Sequence, residues 1–126
     1  MFGTVGVITA ALLSSAPSSA RQLTTQQVRA LLVDAIVDFR DGAPDGKGIS
    51  STREFFGRNG RYGGEFDNYD AIGTYQITNR QVCVREQFEG GCRSIYIDAQ
   101  GQYWMTFEKN GHTRRIWLSK IPKRKR

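Results

Sequence analysis

The chain has 126 residues, of which 39% are hydrophobic and 24% charged, so it is long enough for one domain with its own core. Its 14 glycines and three prolines suit strands joined by tight turns better than a helical bundle. The formal net charge is +6, but five of the 18 basic residues lie within the last seven positions, and the other 13 nearly balance the 12 acidic residues. A nucleic-acid role would therefore rest on the C-terminal tail alone.

Residues 1–20 are typical of a cleavable signal peptide. The apolar stretch 1–13 is shorter than the roughly 20 residues that span a bilayer, and small residues ending in Ser18-Ser19-Ala20 follow it. We therefore expect export, a mature start near Arg21, and a periplasmic or secreted protein. No Lys or Arg precedes the apolar stretch, so the alternative is an uncleaved apolar N-terminus packed on the domain.

The segment after this leader predicts a short helix. Thr24 and Gln27 have the spacing of a capping box, and Leu23 and Val28 occupy the positions of a hydrophobic staple. Apolar residues at helical spacing continue to Ala35, so the helix should end between residues 32 and 38. Residues 33–39 also alternate like a strand, which leaves their structure open, and residues 41–51 are rich in turn formers.

From Glu54 onward the pattern predicts a β-meander. Turn signals recur at 59–60, 68–70, 79–80, 90–91, 99–101 and 110–111, and the runs between them are rich in β-branched and aromatic residues. We take 79–80 and 110–111 as two-residue turns, 99–101 as a three-residue loop, and Cys83 as the partner of Cys92. These four choices bring the apolar residues of the strands from Tyr75 onward to one face.

The predicted core face comprises Tyr75, Ile77, Val82, Val84, Ile95, Ile97, Tyr103, Met105, Phe107, Ile116 and Leu118. Because independent turn choices agree on this face, we predict a mainly β fold. It is an antiparallel meander curled into a small partial barrel, with one N-terminal helix packed on it. Residues 21–119 form a single domain, and residues 120–126 a basic tail.

Cys83 and Cys92 are the only cysteines, and the predicted register places them directly opposite each other. We predict a structural disulfide, which an exported chain can keep. The alternative is a redox-active pair or a metal site, but the spacing is not Cys-x-x-Cys and no histidine is near in sequence.

The same register predicts an aromatic surface on the opposite side of the sheet. Tyr96 faces Trp104, Trp104 faces Trp117, and Arg115 lies on the next rung. Such a row of rings could stack on sugars, bases or the side chains of a partner. The alternative is that the N-terminal helix or a folded-over sheet covers these rings.

Residue types that carry catalysis are sparse. His112 is the only histidine and follows a turn, so triads that depend on histidine lack support. The carboxylates are scattered, and neither a metal-ligand cluster nor a phosphate-binding glycine loop is apparent. We therefore predict no catalytic residues, no metal and no cofactor.

A series of short segments covers most of the mature chain. They are Leu23-Thr24, Val28-Arg29-Ala30-Leu31-Leu32, Arg53-Glu54-Phe55-Phe56, Asn59-Gly60-Arg61-Tyr62, Gly73-Thr74-Tyr75-Gln76-Ile77, Gln81-Val82-Cys83-Val84, Cys92-Arg93, Tyr96, Asp98 and Gly101-Gln102-Tyr103. In this order they resemble small exported proteobacterial β-meander proteins classed as a domain of unknown function. The resemblance implies a short N-terminal helix, a β-meander and a central cysteine pair, and it supplies no catalytic residues.

Together these patterns favour a non-catalytic binding or inhibitor-like module of the cell envelope over an enzyme. Its partner would be an envelope protein or a glycan. The tail, with Lys120, Lys123, Arg124, Lys125 and Arg126, could contact anionic polymers or lipid headgroups weakly, or be only a solvated terminus. The alternative function is an envelope-associated hydrolase that acts on carbohydrate through acidic residues.

Overall fold

The computed structural model describes residues 17–40, 51–66, 69–87 and 90–123. Most of the predicted signal peptide, residues 1–16, and the last three residues of the predicted tail, Arg124, Lys125 and Arg126, lie outside this part of the chain.

The described residues form an antiparallel sheet that closes on itself. Its strands are β1 (Arg21–Gln22), β2 (Ala35–Asp38), β3 (Ser51–Phe56), β4 (Arg61–Phe66), β5 (Asp70–Thr78), β6 (Gln81–Glu86), β7 (Gly90–Ile97), β8 (Tyr103–Phe107) and β9 (Thr113–Lys120). Strands β2 to β9 each pair with the next one along the chain, and β9 pairs back with β2. The mainly β, antiparallel prediction is confirmed, but the partial barrel is a complete eight-stranded one.

The seam between β2 and β9 completes the barrel. The structure resolves the ambiguous residues 33–39 largely as a strand, in which Ala35 pairs with Lys120 and Asp38 with Trp117. Ala35 and Val37 are buried while Ile36 and Asp38 are partly exposed, as a half-buried strand requires. The short β1 pairs with the end of β7, opposite Ile97 and Tyr96.

The described residues include one α-helix, α1 (Thr25–Leu32), which covers an end of the barrel, and a short 3-10 turn at Arg58–Gly60. The predicted capping box is present, with the Thr24 hydroxyl accepting from the Gln27 backbone N–H and the Gln27 side chain accepting from the Thr24 backbone N–H. Val28 and Leu32 are fully buried, and the helix contacts β2, β5 and β6. Because β2 and β6 lie on opposite sides of the eight-stranded ring, the helix lies across it. We call this the capped end.

Most of the predicted pairing is confirmed. Thr78 pairs with Gln81 around a two-residue turn, whose Asn79 and Arg80 both have positive φ, as a type I′ hairpin requires. Cys83 pairs with Cys92, and Ile97 with Tyr103. All eleven residues of the predicted core face lie in the core cluster or pack against it.

Two turn predictions are wrong in detail. The chain between β8 and β9 is a five-residue connection closed by Gly111 N–H donating to Phe107 O, so Trp104 pairs with Arg115 and not with Trp117. The pairing of β8 with β9 thus differs from the predicted register by two residues. Because side chains alternate with a period of two, the same residues still face inward. Residues 90–91 are not a turn but the first residues of β7, where they pair with the end of β6.

Candidate binding face

The predicted aromatic residues lie on the outside of the barrel, but not in one row. Tyr96 on β7 pairs with Trp104 on β8, which pairs in turn with Arg115 on β9. Trp117 is the next outward-facing residue of β9 after Arg115, and it pairs with Asp38 across the seam. The prediction that Trp104 faces Trp117 is therefore wrong, because the β8–β9 connection is longer than a two-residue turn.

Two guanidinium groups lie over the ring of Trp117. The Arg115 Cζ atom lies 4.5 Å from its ring centroid, and the Arg40 Cζ atom lies 4.6 Å from it. Both distances are within the range of cation–π attraction. Arg115 Nε is buried and has no hydrogen-bond partner among the described residues. Arg40, which no sequence pattern indicated, enters the site because it follows β2 in the outward-facing alternation of Ile36 and Asp38.

Trp104 is held by Asp98, a residue that the sequence analysis did not assign to the site. The indole Nε1 of Trp104 donates to Asp98 Oδ2 over 2.9 Å, and the backbone N–H groups of Gln100 and Gln102 donate to Oδ1. The indole hydrogen bond, assisted by the two backbone donors, lowers the pKa of Asp98 below its usual value of 3.8. The carboxylate thus fixes both the β7–β8 connection and the orientation of the ring.

These residues form one surface, which we call the aromatic–arginine face: Tyr96, Trp104, Trp117, Arg115 and Arg40. Its three rings are partly exposed, and Arg40 is exposed. The helix, which we considered as a possible cover, instead makes its main contacts with β2, β5 and β6 at the barrel end.

The interior of the barrel holds a buried cluster of three polar side chains, Glu54, Tyr62 and Arg93. Glu54 is 0% exposed, accepts from Tyr62 Oη over 2.5 Å and pairs with Arg93 Nη1 over 2.5 Å. Burial raises the pKa of Tyr62. Burial alone would lower the pKa of Arg93, but the charge and hydrogen bond of Glu54 raise it overall, so the guanidinium stays charged. This cluster is enclosed in the interior and is not open to a ligand at the surface.

Cys83 and Cys92 form the predicted disulfide across β6 and β7. The described chain has no free cysteine. Among the described residues, no group of three or more His, Cys, Asp and Glu side chains could hold a metal ion. None of the described helices is long and apolar enough to cross a membrane.

The start of the predicted tail belongs to the folded domain. Lys120 is the last residue of β9, and its Nζ donates to Val33 O and Ala30 O at the end of α1. The Ile121 N–H also donates to Asp34 O. Lys120 and Ile121, the first two residues of the predicted tail, thus bond to the end of the helix and to the residue before β2, and Lys120 and Lys123 are both exposed.

Comparison of the chain with models of protein families, with curated proteins and with solved structures finds no match.

Proposed function

We propose that the protein is a non-catalytic binding module that takes an anionic partner on its aromatic–arginine face. The observation that carries this proposal is the packing of the Arg40 and Arg115 guanidinium groups over the ring of Trp117. A guanidinium that lies flat on an indole keeps its N–H edge available, and this edge matches a carboxylate or sulfate. The adjacent partly exposed rings add a flat apolar surface, so an acidic sugar could stack on the rings while its carboxylate accepts hydrogen bonds from the arginines.

The envelope or the exterior of the cell is the proposed place of action. The disulfide between Cys83 and Cys92 is consistent with an oxidising compartment. An acidic glycan is the partner that we favour, because ring stacking and carboxylate binding then occur on one ligand. An inhibitor-like role, in which an acidic protein segment occupies the same face, uses the same arginines.

The hydrolase alternative requires two carboxylates about 5–10 Å apart beside the substrate. Glu54 is enclosed by Tyr62 and Arg93, and Asp98 accepts three N–H donors. These contacts support structural roles for the two carboxylates, and we propose the binding module in preference.

The proposal is tested by titrating the protein with polygalacturonate and with neutral dextran while tryptophan fluorescence is recorded. We expect polygalacturonate alone to quench the emission, and the substitution Arg115→Gln to weaken binding by about tenfold, the effect of losing one charge-assisted contact of about 1.5 kcal/mol. Arg85→Gln is the matched control, since Arg85 is exposed on β6, away from the face. Equal weakening by both substitutions would show only a general charge effect and would refute the proposed site.

A further inference from the structure

The capped end of the barrel carries cations from several separate elements. Neighbouring strands are antiparallel, so the β3–β4 and β5–β6 connections and the end of β9 all emerge where α1 lies. Arg58 is in the first of these connections and Arg80 in the second, Arg29 is on the helix, and Lys120 and Lys123 end the described chain. These positions are distributed around much of the ring.

Most of these cations are held by neutral groups, so their charge is not cancelled. The Arg29 guanidinium donates to Ile77 O, and the Arg80 guanidinium donates to Leu23 O and Gln22 O. Lys120 donates to the two helix carbonyls described above. Only Arg58 has an acidic partner among these contacts, Asp34, with an Nη2–Oδ2 distance of 2.9 Å. The backbone thus fixes several side chains in place while leaving a net positive surface.

The opposite end has a different charge composition. Carboxylates lie there at or near the ends of four strands, at Glu65, Asp70, Glu86 and Glu108, together with cations such as Arg85 and Lys109. Among the described residues, the carboxylates at the capped end are Asp34 and Asp98, the second in the β7–β8 connection, which also emerges there. Positive charge is therefore concentrated at the capped end of the barrel. After Lys123 the sequence continues with three further cations, Arg124-Lys125-Arg126, which lie outside the described residues.

We propose that the capped end docks on an anionic phospholipid bilayer. Clusters of four to eight Lys and Arg residues are attracted to anionic leaflets, by about 1 kcal/mol for each residue near the surface. A linear polyanion would reach only some of the cations that are distributed around the ring, whereas a flat surface faces all of them together. This surface lies at the end of the barrel, so the proposal is independent of the aromatic–arginine face on its side.

The test is sedimentation of the full chain with vesicles, either pure phosphatidylcholine or phosphatidylcholine containing 30% phosphatidylglycerol, at rising salt. We expect binding only to the anionic vesicles, with affinity that falls steeply as salt screens the charges. The substitutions Arg29→Gln and Lys120→Gln together should lower the partition coefficient roughly 25-fold, since each cation is worth about fivefold. The control Arg85→Gln with Lys109→Gln changes the net charge equally at the other end and should have a much smaller effect.

Further outcomes decide against the proposal. If the double substitution at the capped end behaves like its control while deletion of residues 123–126 abolishes binding, the tail acts alone and the docking surface is refuted. Equal binding to both kinds of vesicle would also refute the proposal. So would binding to heparin that depends on Arg29 and Lys120, if the same protein does not bind vesicles. The charge-retaining pair Arg29→Lys and Lys120→Arg should keep vesicle binding; circular dichroism verifies that each variant is folded.

Discussion

The enclosed ion pair between Glu54 and Arg93 should be the most sensitive polar contact in the barrel. Replacing Arg93 with methionine leaves the Glu54 carboxylate 0% exposed, with only the hydroxyl of Tyr62 as a remaining donor from this cluster. Removing one partner of a buried pair costs about 3–5 kcal/mol. Because small domains have unfolding free energies of about 5–15 kcal/mol, Arg93→Met should remove a large part of the stability.

The double variant Glu54→Leu with Arg93→Met separates this explanation from simple loss of packing. Removing both charges leaves no uncompensated charge in the interior, so the double variant should lose less than either single variant. Urea unfolding followed by tryptophan fluorescence gives the free energies, provided that the slope with urea stays constant. If Arg93→Met does not fold, the double variant should still fold and show the effect.

An exposed ion pair supplies the control for these single and double variants. The side chain of Arg53 is 48% exposed where it pairs with Asp38, so Arg53→Gln should leave the midpoint of urea unfolding nearly unchanged. The reasoning is refuted if Arg93→Met shifts the midpoint no more than Arg53→Gln does, or if the losses of the two single variants simply add in the double variant.

Replacing both cysteines with serine should lower the unfolding free energy by about 2–3 kcal/mol, as expected for a short closed loop, and an unchanged urea midpoint would contradict this. The lowered pKa of Asp98 means that its stabilising effect is present above the ordinary carboxyl pKa of 3.8 and is lost as the pH falls through the lower folded-state value. Asp98→Asn should therefore reduce the dependence of stability on pH in acid and alter Trp104 emission; an identical acid profile would show that the carboxylate is not responsible. Gly73→Ala should destabilise by at least about 2 kcal/mol, because overpacking is costly and the new Cβ would lie 2.1 Å from Arg85 O. In the control Gly63→Ala the Cβ meets its nearest atom at 3.7 Å, and equal thermal midpoints for the two variants would contradict the steric argument.

Local patterns predicted the parts of the fold that local interactions determine. The turn at Asn79 and Arg80 fixes its hairpin through two positive φ angles, and the capping box at Thr24 starts the helix with two hydrogen bonds between near neighbours. The inward alternation of β8 and β9 was also correct, because an error of two residues does not change which face a side chain occupies. The length of the β8–β9 connection was not predictable from Asn110 and Gly111 alone.

The closure of the barrel could not be predicted in the same way. It depends on Ala35 meeting Lys120 and Asp38 meeting Trp117, and no short pattern records such distant pairs. β2 has only four residues and follows the helix closely, so its apolar residues fit both periodicities.

The same limit explains what was missed in the two polar clusters. Arg40 reaches Trp117 only because the seam brings residues from the two ends of the domain together. Alternation placed Arg93 on the core face, but its partner Glu54 lies 39 positions earlier in the chain and cannot be identified from spacing. The disulfide was predictable because two cysteines allow one connectivity and a hairpin register could be tested against it.

The β2–β9 seam also has a consequence for how the chain reaches its final structure. Every strand of the ring has two neighbours, so the backbone edges that invite aggregation are paired once the ring is complete. Until β9 pairs with β2, however, both strands have an unpaired edge and the interior stays accessible to water. Pairings so distant in sequence form slowly. The barrel should thus acquire its stability in one late step, when β9 pairs with β2.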